Sequence, residues 1–376
     1  MQKPRILFCV ESLSCGGAEK SLLSLLNSMD QNKFEIDVLV YKPGGEFEKF
    51  LPKTMNLKSI GFTPGISHRI NFKLLRFLNL KNRHHNAQLL WKSIRGAIPS
   101  YKTNYDIAVS WGQGFATYYV SQKVKAAKKY AWVNIDYEKA GYYWKQDVHI
   151  YKEFDRVVGV SEFVKESMQK FLPKKQVISI RNIIDPDEIK SRGKEPKPEN
   201  FEENSINIVS VGRLAKQKGF ELAIGAIKKL IDDNLRVHLY IVGEGPERTT
   251  LEKGVEDLQL ENHITLLGFR DNPYPYINDC DIYLQSSWFE GLGRTIIEAG
   301  LLCKPIVTTD FPTAYSILKD KETGLIVPMT VEDIALGIKE IIEDVSLKNR
   351  LVSNLEKQED KEKEKTLKAV YSLFES

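Results

Sequence analysis

The second half of the chain alternates strand-length apolar runs with helix-length amphipathic ones, and few folds accept that order. Apolar runs near 206–211, 236–242, 263–267, 281–285 and 305–308 are separated by helical spacing, as in Leu222, Ile224, Ile227 and Leu230. Strands joined through helices pair in parallel, because the chain must travel back along the sheet before the next strand begins. The expectation is an α/β doubly wound sheet, whose ligands bind outside the carboxyl ends of the strands.

The first half repeats the pattern. Arg5–Val10, Phe34–Tyr41, Tyr105–Ser110, Tyr130–Ile135, Phe154–Val160 and Val177–Asn182 read as strands, and Ser161 reads as a helix N-cap. After the first strand come a loop over Glu11–Gly17 and a helix from Ala18 with Leu22, Leu23, Leu25 and Leu26. This is strand, Gly-Gly turn, helix, but not Gly-x-Gly-x-x-Gly, so it is a weak dinucleotide signal. Asp185–Asn204 is rich in Lys, Glu and Pro and reads as a linker and hinge. With 376 residues, two or three domains are expected. The boundaries fall at 1–185 and 186–360, with a solvated, charge-rich run over 355–368 leading into a terminal helix at 361–376.

The polar and glycine residues collect at the strand ends. Trp288–Gly300 follows an apolar run and turns helical. Within it, Gly291 and Gly293 permit close backbone approach to a ligand. The amides of Leu292, Gly293, Arg294 and Thr295 open a helix and favour an anion. Glu290 and Glu298 flank that position; eight residues of helix would hold them about 12 Å apart. Upstream, Arg213 and Lys218 follow the strand that ends at Val211, a planar fork and a point charge suited to a diphosphate. The same letters also fit a Gly-broken loop with solvated glutamates and ordinary surface charge.

Taken together, Gly212-Arg213 with Lys218-Gly219-Phe220, Val242–Pro246, Leu267-Gly268-Phe269, Glu290 with Glu298, and Lys304–Val307 before Gly324–Val327 resemble glycosyltransferase family 4. The likeness is dense over about 205–345 and thinner over 1–185. It implies the GT-B fold, two doubly wound Rossmann-like domains facing across a cleft, with the terminal helix crossing back to the first domain. The implied activity is that of a retaining hexosyltransferase. Its co-substrate is a nucleotide-diphosphate sugar, a UDP-sugar first among the choices, and its acceptor a growing glycan, lipid-linked as in surface-polysaccharide synthesis.

By the same resemblance Arg213 and Lys218 stabilise the leaving diphosphate, and Glu290 holds the transferred sugar. Glu298 holds the ribose, Gly268 and Phe269 lie near the nucleobase, and Gly16 and Gly17 face the donor's sugar and phosphates. Asn134 stands where many members have a histidine and cannot titrate. With Asp136 and Tyr137 it is an acceptor-side candidate. Tyr142, Tyr143 and Trp144 suit either sugar stacking or the core. Two rivals are a GT-B epimerase or phosphorylase, and a non-catalytic sugar-nucleotide-binding subunit of a synthase.

Composition narrows the rest. Cys9, Cys15, Cys280 and Cys303 are scattered, and the six histidines show no ligand spacing. No metal site, resident cofactor or disulfide framework is expected. A net charge of +4 does not by itself argue for nucleic acid. The one apolar run near the N-terminus is of strand length and none reaches 18 residues, so a cytoplasmic protein is expected.

Residues 49–105 are the compositional exception. They hold Lys49, Lys53, Lys58, Arg69, Lys73, Arg76, Lys81, Arg83, Lys92, Arg95 and Lys102 and no Asp or Glu, interleaved with Phe72, Phe77, Leu80, Leu89 and Trp91. This reads as a helical region meeting an anionic membrane surface, peripheral on the inner face of the cell membrane. No nucleic-acid-binding motif is present. The alternative is a helical subdomain with a leucine core and solvated lysines.

Overall fold

The computed structural model describes residues 3–14, 16–79, 83–197, 200–358 and 361–375. Cys15, Leu80 and Lys81 lie outside the described residues. The chain divides into two compact units, Met1–Ile183 with Glu362–Ser376, and Ile184–Lys361.

The first unit runs β1 (Arg5–Ser12), α1 (Gly17–Ser28), β2 (Glu35–Lys42), β3 (Asn56–Ser59), α2 (Ile66–Leu78), α3 (Asn86–Ile94), β4 (Asn104–Trp111), α4 (Phe115–Lys123), β5 (Lys125–Val133), α5 (Trp144–Tyr151), β6 (Arg156–Gly159), α6 (Glu162–Gln169) and β7 (Val177–Ser179). The second runs α7 (Pro186–Arg192), β8 (Ile206–Val211), α8 (Phe220–Asp232), β9 (Val237–Val242), α9 (Arg248–Asp257), β10 (Ile264–Gly268), α10 (Tyr274–Asp279), β11 (Ile282–Gln285), α11 (Arg294–Leu301), β12 (Ile306–Thr309), β13 (Leu325–Val327), α12 (Val331–Glu343) and α13 (Val345–Glu356). The last helix, α14 (Glu362–Glu375), belongs to the first unit. There Tyr130 Oη donates to the Leu373 carbonyl at 2.9 Å, and the Phe374 ring stacks on Tyr130.

Both sheets are parallel. Their strand orders are β3-β2-β1-β4-β5-β6-β7 and β10-β9-β8-β11-β12-β13. The order reverses between β1 and β4 in one and between β8 and β11 in the other. At such a switch point neighbouring loops part and leave a crevice. Strands covered by helices on both faces carry continuous apolar runs, and every residue of Val237–Val242 is buried. Helix α8 buries Phe220, Ala223, Ile224, Ala226, Ile227 and Leu230 on one stripe. Truncating Ile227 to Ala there costs about 2–5 kcal/mol.

Three local readings change. Asp185–Asn204 is not an unstructured linker throughout: the Asp185 carboxylate accepts from the Asp187 and Glu188 amides, and Pro186 opens α7. β3 is a short edge strand of mostly polar, mostly exposed residues, with Leu57 its one apolar member and no apolar alternation to betray it. The basic region contains two different helices. α3 buries Leu89, Trp91 and Ile94, whereas α2 buries nothing. Lys58 is also tied up, 2.5 Å from the buried Asp37. Among the described residues no helix is long and apolar enough to cross a membrane.

Candidate functional site

The loops after β8 and β11 meet at the switch point of the second sheet. Close packing of the loops at this end of the sheet demands glycine twice. Gly219 has φ +59°, and a Cβ on it would stand 2.1 Å from the Ser286 carbonyl. Gly243, after β9, has φ +152°, with the Gly212 carbonyl 1.9 Å from any Cβ. Polar stitches then join the loops. The Trp288 amide donates to the Gln217 carbonyl at 2.8 Å. Gln217 Nε2 donates to the Phe289 carbonyl at 2.8 Å, and Ser286 Oγ to the Lys218 carbonyl at 3.0 Å.

Those stitches set Lys218 against Glu290. Lys218 Nζ lies 2.6 Å from Glu290 Oε1. The same oxygen accepts from Ser287 Oγ at 2.6 Å and Gln285 Nε2 at 2.9 Å. Among the described residues Glu290 Oε2 has only a 3.5 Å contact with Gln217 Nε2. Arg213 is exposed, and its guanidinium has no hydrogen-bond or ion-pair partner among the described residues. The Lys218 stem crosses Gly212, where a Cβ would meet Lys218 Cε at 3.1 Å. An unengaged cation and a paired one thus stand at one strand end.

Gly293 caps α11 with φ +71°, so α11 starts at Arg294 and residues 290–293 form a loop. A helical rise therefore does not measure the spacing of Glu290 and Glu298. Leu292 is buried and Thr295 half-buried at the opening of α11. Glu298 differs sharply from Glu290. It is 2% exposed, and its Oε1 accepts from Arg294 Nε at 2.8 Å and Tyr274 Oη at 3.1 Å. The Arg294 side chain is thus engaged with Glu298, inside the unit. Burial, with the Glu298 charge beside it, holds the Tyr274 hydroxyl well above its usual pKa.

Gly268 ends β10 with φ +77°, and its carbonyl accepts from the Gly243 amide at 2.9 Å. Phe269 follows it half-buried. In the first unit Gly16 and Gly17 stand where β1 passes into α1. Gly16 is extended, with φ −169°, and nothing lies within 4 Å of a Cβ on Gly17. Neither needs glycine for its own backbone.

The acceptor-side candidates are mostly committed inside the first unit. Asp136 is buried and accepts from the Glu138 and Lys139 amides at 3.0 and 3.1 Å. Tyr137 is 1% exposed and its hydroxyl donates to Asp147. Tyr142 stacks between His85 and Tyr137, and Trp144 stacks on Phe171. Asn134 keeps spare capacity: its Oδ1 accepts from Asn182 Nδ2 at 2.9 Å, and its buried Nδ2 has no partner among the described residues.

Gln217, Gln285, Ser287 and Tyr274 escaped the sequence reading. The available signal was the run Gln285-Ser286-Ser287, three fully buried polar residues closing an apolar strand. Such groups need partners: Gln285 and Ser287 bond each other and Glu290, and Ser286 bonds the Lys218 carbonyl.

Two family profiles match in succession, Glycosyltransferase Family 4 over 15–188 and Glycosyl transferases group 1 over 191–358. The lipopolysaccharide core biosynthesis glycosyltransferase LpsE of Rhizobium meliloti is 32% identical over 145 residues, 38% of this chain and 42% of its own length. The N-acetylgalactosamine-N,N'-diacetylbacillosaminyl-diphospho-undecaprenol 4-alpha-N-acetylgalactosaminyltransferase of Campylobacter jejuni is 36% identical over 143 residues, 38% of each chain. The chain spans between 38% and 46% of the length of the first curated relatives it matches. Anabaena HepE, solved with UDP and glucose, superimposes with a TM-score of 0.74 at 18% identity, over 99% of this chain and 100% of that one. At that identity the likeness is one of fold, the GT-B fold of two Rossmann-like domains. The two profiles together account for most of the chain, which belongs to glycosyltransferase family 4, group 1.

Proposed function

We propose that the chain is a retaining glycosyltransferase that moves a hexosyl-type sugar from a UDP-sugar to a growing, lipid-linked glycan. The observation that carries this reading is the unengaged Arg213 guanidinium beside the Lys218–Glu290 pair, at the switch point of the second sheet. In this reading Arg213, Lys218 and the first-turn amides of α11 receive the diphosphate. Glu298 holds the ribose from its seat between Arg294 and Tyr274, with the base near Gly268 and Phe269. Glu290 holds a hydroxyl of the transferred sugar through Oε2.

The bond from the anomeric carbon to the diphosphate oxygen breaks, and its electron pair stays on that oxygen. The acceptor hydroxyl bonds to the same face of the carbon, and its proton passes to the departing phosphate. Two cations and a helix N-terminus match the charge that develops, without a metal ion. Among the described residues no cluster of His, Cys, Asp and Glu is arranged to hold one.

The acceptor reading draws on the Campylobacter relative, whose name specifies a diphospho-undecaprenol substrate. It draws also on α2. Ile66, Ile70, Leu74, Phe77 and Leu78 are 53–78% exposed along one arc of that helix. Arg69, Lys73 and Arg76 border the arc, while Phe72 and Leu75 are half-buried toward the unit. An apolar arc edged by cations suits an anionic bilayer surface, and Asn134 would then stand on the acceptor side.

The test is release of UDP from UDP-glucose, UDP-galactose and their N-acetylhexosamine counterparts, with and without EDTA. Turnover of one donor that survives EDTA, and falls about a hundredfold in Lys218→Ala, is expected. No turnover of any donor overturns the transferase reading.

A further inference from the structure

Gln285 has every hydrogen-bonding position of its side-chain amide filled. Nε2 donates to Ser287 Oγ at 2.6 Å and to Glu290 Oε1 at 2.9 Å. Oε1 accepts from Tyr283 Oη at 2.9 Å and from Thr295 Oγ1 at 2.8 Å. A primary amide has two donors and two acceptor sites, so neither rotation nor flipping leaves this one satisfied. The side chain is 2% exposed, and water cannot substitute for a lost partner. Its two acceptor bonds come from β11 and from the first turn of α11, the two elements between which Glu290 hangs on its loop.

Glu290 is therefore held from behind. Its Oε1 is occupied by Lys218, Ser287 and Gln285, while Oε2 keeps its acceptor capacity. Ser287 is held in turn: it accepts from Gln285 and donates to Glu290, and its carbonyl accepts from Thr309 Oγ1 at 2.6 Å. Lys218 is the one charged member of this group and the one that a diphosphate would also attract. When a donor draws Lys218 toward its phosphates, Gln285 and Ser287 keep the carboxylate from swinging after it.

We propose that Gln285 is a positioning residue: by donating to Glu290 Oε1 it fixes the carboxylate so that Oε2 meets the transferred sugar while Lys218 serves the phosphates. This rests on the transferase reading. A positioned carboxylate matters in the transition state, where small misplacements cost most, so the effect belongs in kcat.

The test uses the full chain and the UDP-sugar that the wild type hydrolyses fastest. Gln285→Met keeps the length and removes the donor. Its expected result is a loss in kcat of about a hundredfold, with KM and calorimetric UDP affinity unchanged. Gln285→Glu supplies the distinguishing readout. It sets a second carboxyl against Glu290, with Lys218, the hydroxyls of Tyr283, Ser287 and Thr295, and the Gln217 amide the other polar groups on the pair. Two adjacent carboxylates share a proton, which raises one pKa. The variant should be nearly inactive near pH 8 and recover as the pH falls toward about 5.5, where a protonated Glu at 285 can donate as the amide did. The wild type should show no such rise.

Wild-type kcat in both variants overturns the role of Gln285 and leaves the transferase reading standing. So does a loss of kcat that tracks loss of UDP binding and shows no recovery in acid, which would mark a purely structural residue. A wild type with no turnover overturns the transferase reading and this role together.

Discussion

Lys218 Nζ stands 2.6 Å from Glu290 Oε1, the two side chains 17% and 9% exposed. A lone carboxylate at this strand end would repel a diphosphate. Paired with Lys218, and given hydrogen bonds by Gln285 and Ser287, it can stay there. A mostly desolvated pair holds its geometry because either charge left alone is costly.

The two glutamates should fail differently. Glu290→Gln disturbs the reacting sugar and should lower kcat, with the donor KM little changed. Glu298 is buried against Arg294, so Glu298→Ala takes the opposite charge away from a buried guanidinium and should destabilise the fold by about 3–5 kcal/mol. The milder Glu298→Gln should chiefly raise the donor KM. Urea unfolding and steady-state kinetics on the three variants check the division. An unchanged midpoint for Glu298→Ala would contradict it.

The second sheet was legible because its strands are short, mostly apolar runs and its helices carry period-3.6 stripes, as in α8. Glu290 and Glu298 were legible by their spacing, and their unequal environments were not. Tyr274 lies 24 residues before Glu298 and is joined to it only by folding. Gln285 looks like one polar letter in a strand until its four partners are seen. Trp91 and Phe77 read alike in sequence, yet one is 4% and the other 75% exposed. The period of a helix shows which residues share a face, but not whether anything covers that face.

Asp147 gives the first unit a pH signature. Burial pushes its carboxyl above the ordinary value, against the donated bonds of Tyr137, Tyr118 and Gln88. A carboxyl whose folded pKa is raised stabilises the fold fully below the unfolded value of about 3.9. That contribution is lost as pH rises through the folded pKa. Asp147→Asn removes the titration. The melting temperature of the variant relative to wild type should therefore be higher at pH 8 than at pH 4. A difference independent of pH would contradict the assignment.

The α2 surface is checked by vesicle sedimentation. Binding should need anionic lipid and weaken with salt. It should fall roughly tenfold or more when Arg69, Lys73 and Arg76 become Glu, since each basic group near the surface contributes about 1 kcal/mol. Ile70→Ser with Phe77→Ser should weaken it as well. Equal partitioning to neutral and anionic vesicles would remove the membrane reading and leave the donor site untouched.

The central claim is that Arg213 awaits a diphosphate, and calorimetric titration with UDP and UMP tests it most directly. Wild type should bind UDP more tightly than UMP. Arg213→Ala should weaken UDP about tenfold or more, the loss of one charge-assisted contact, and should largely abolish the preference over UMP. Equal losses for the two nucleotides, or UDP affinity unaltered by the substitution, would contradict the placement of the diphosphate at Arg213.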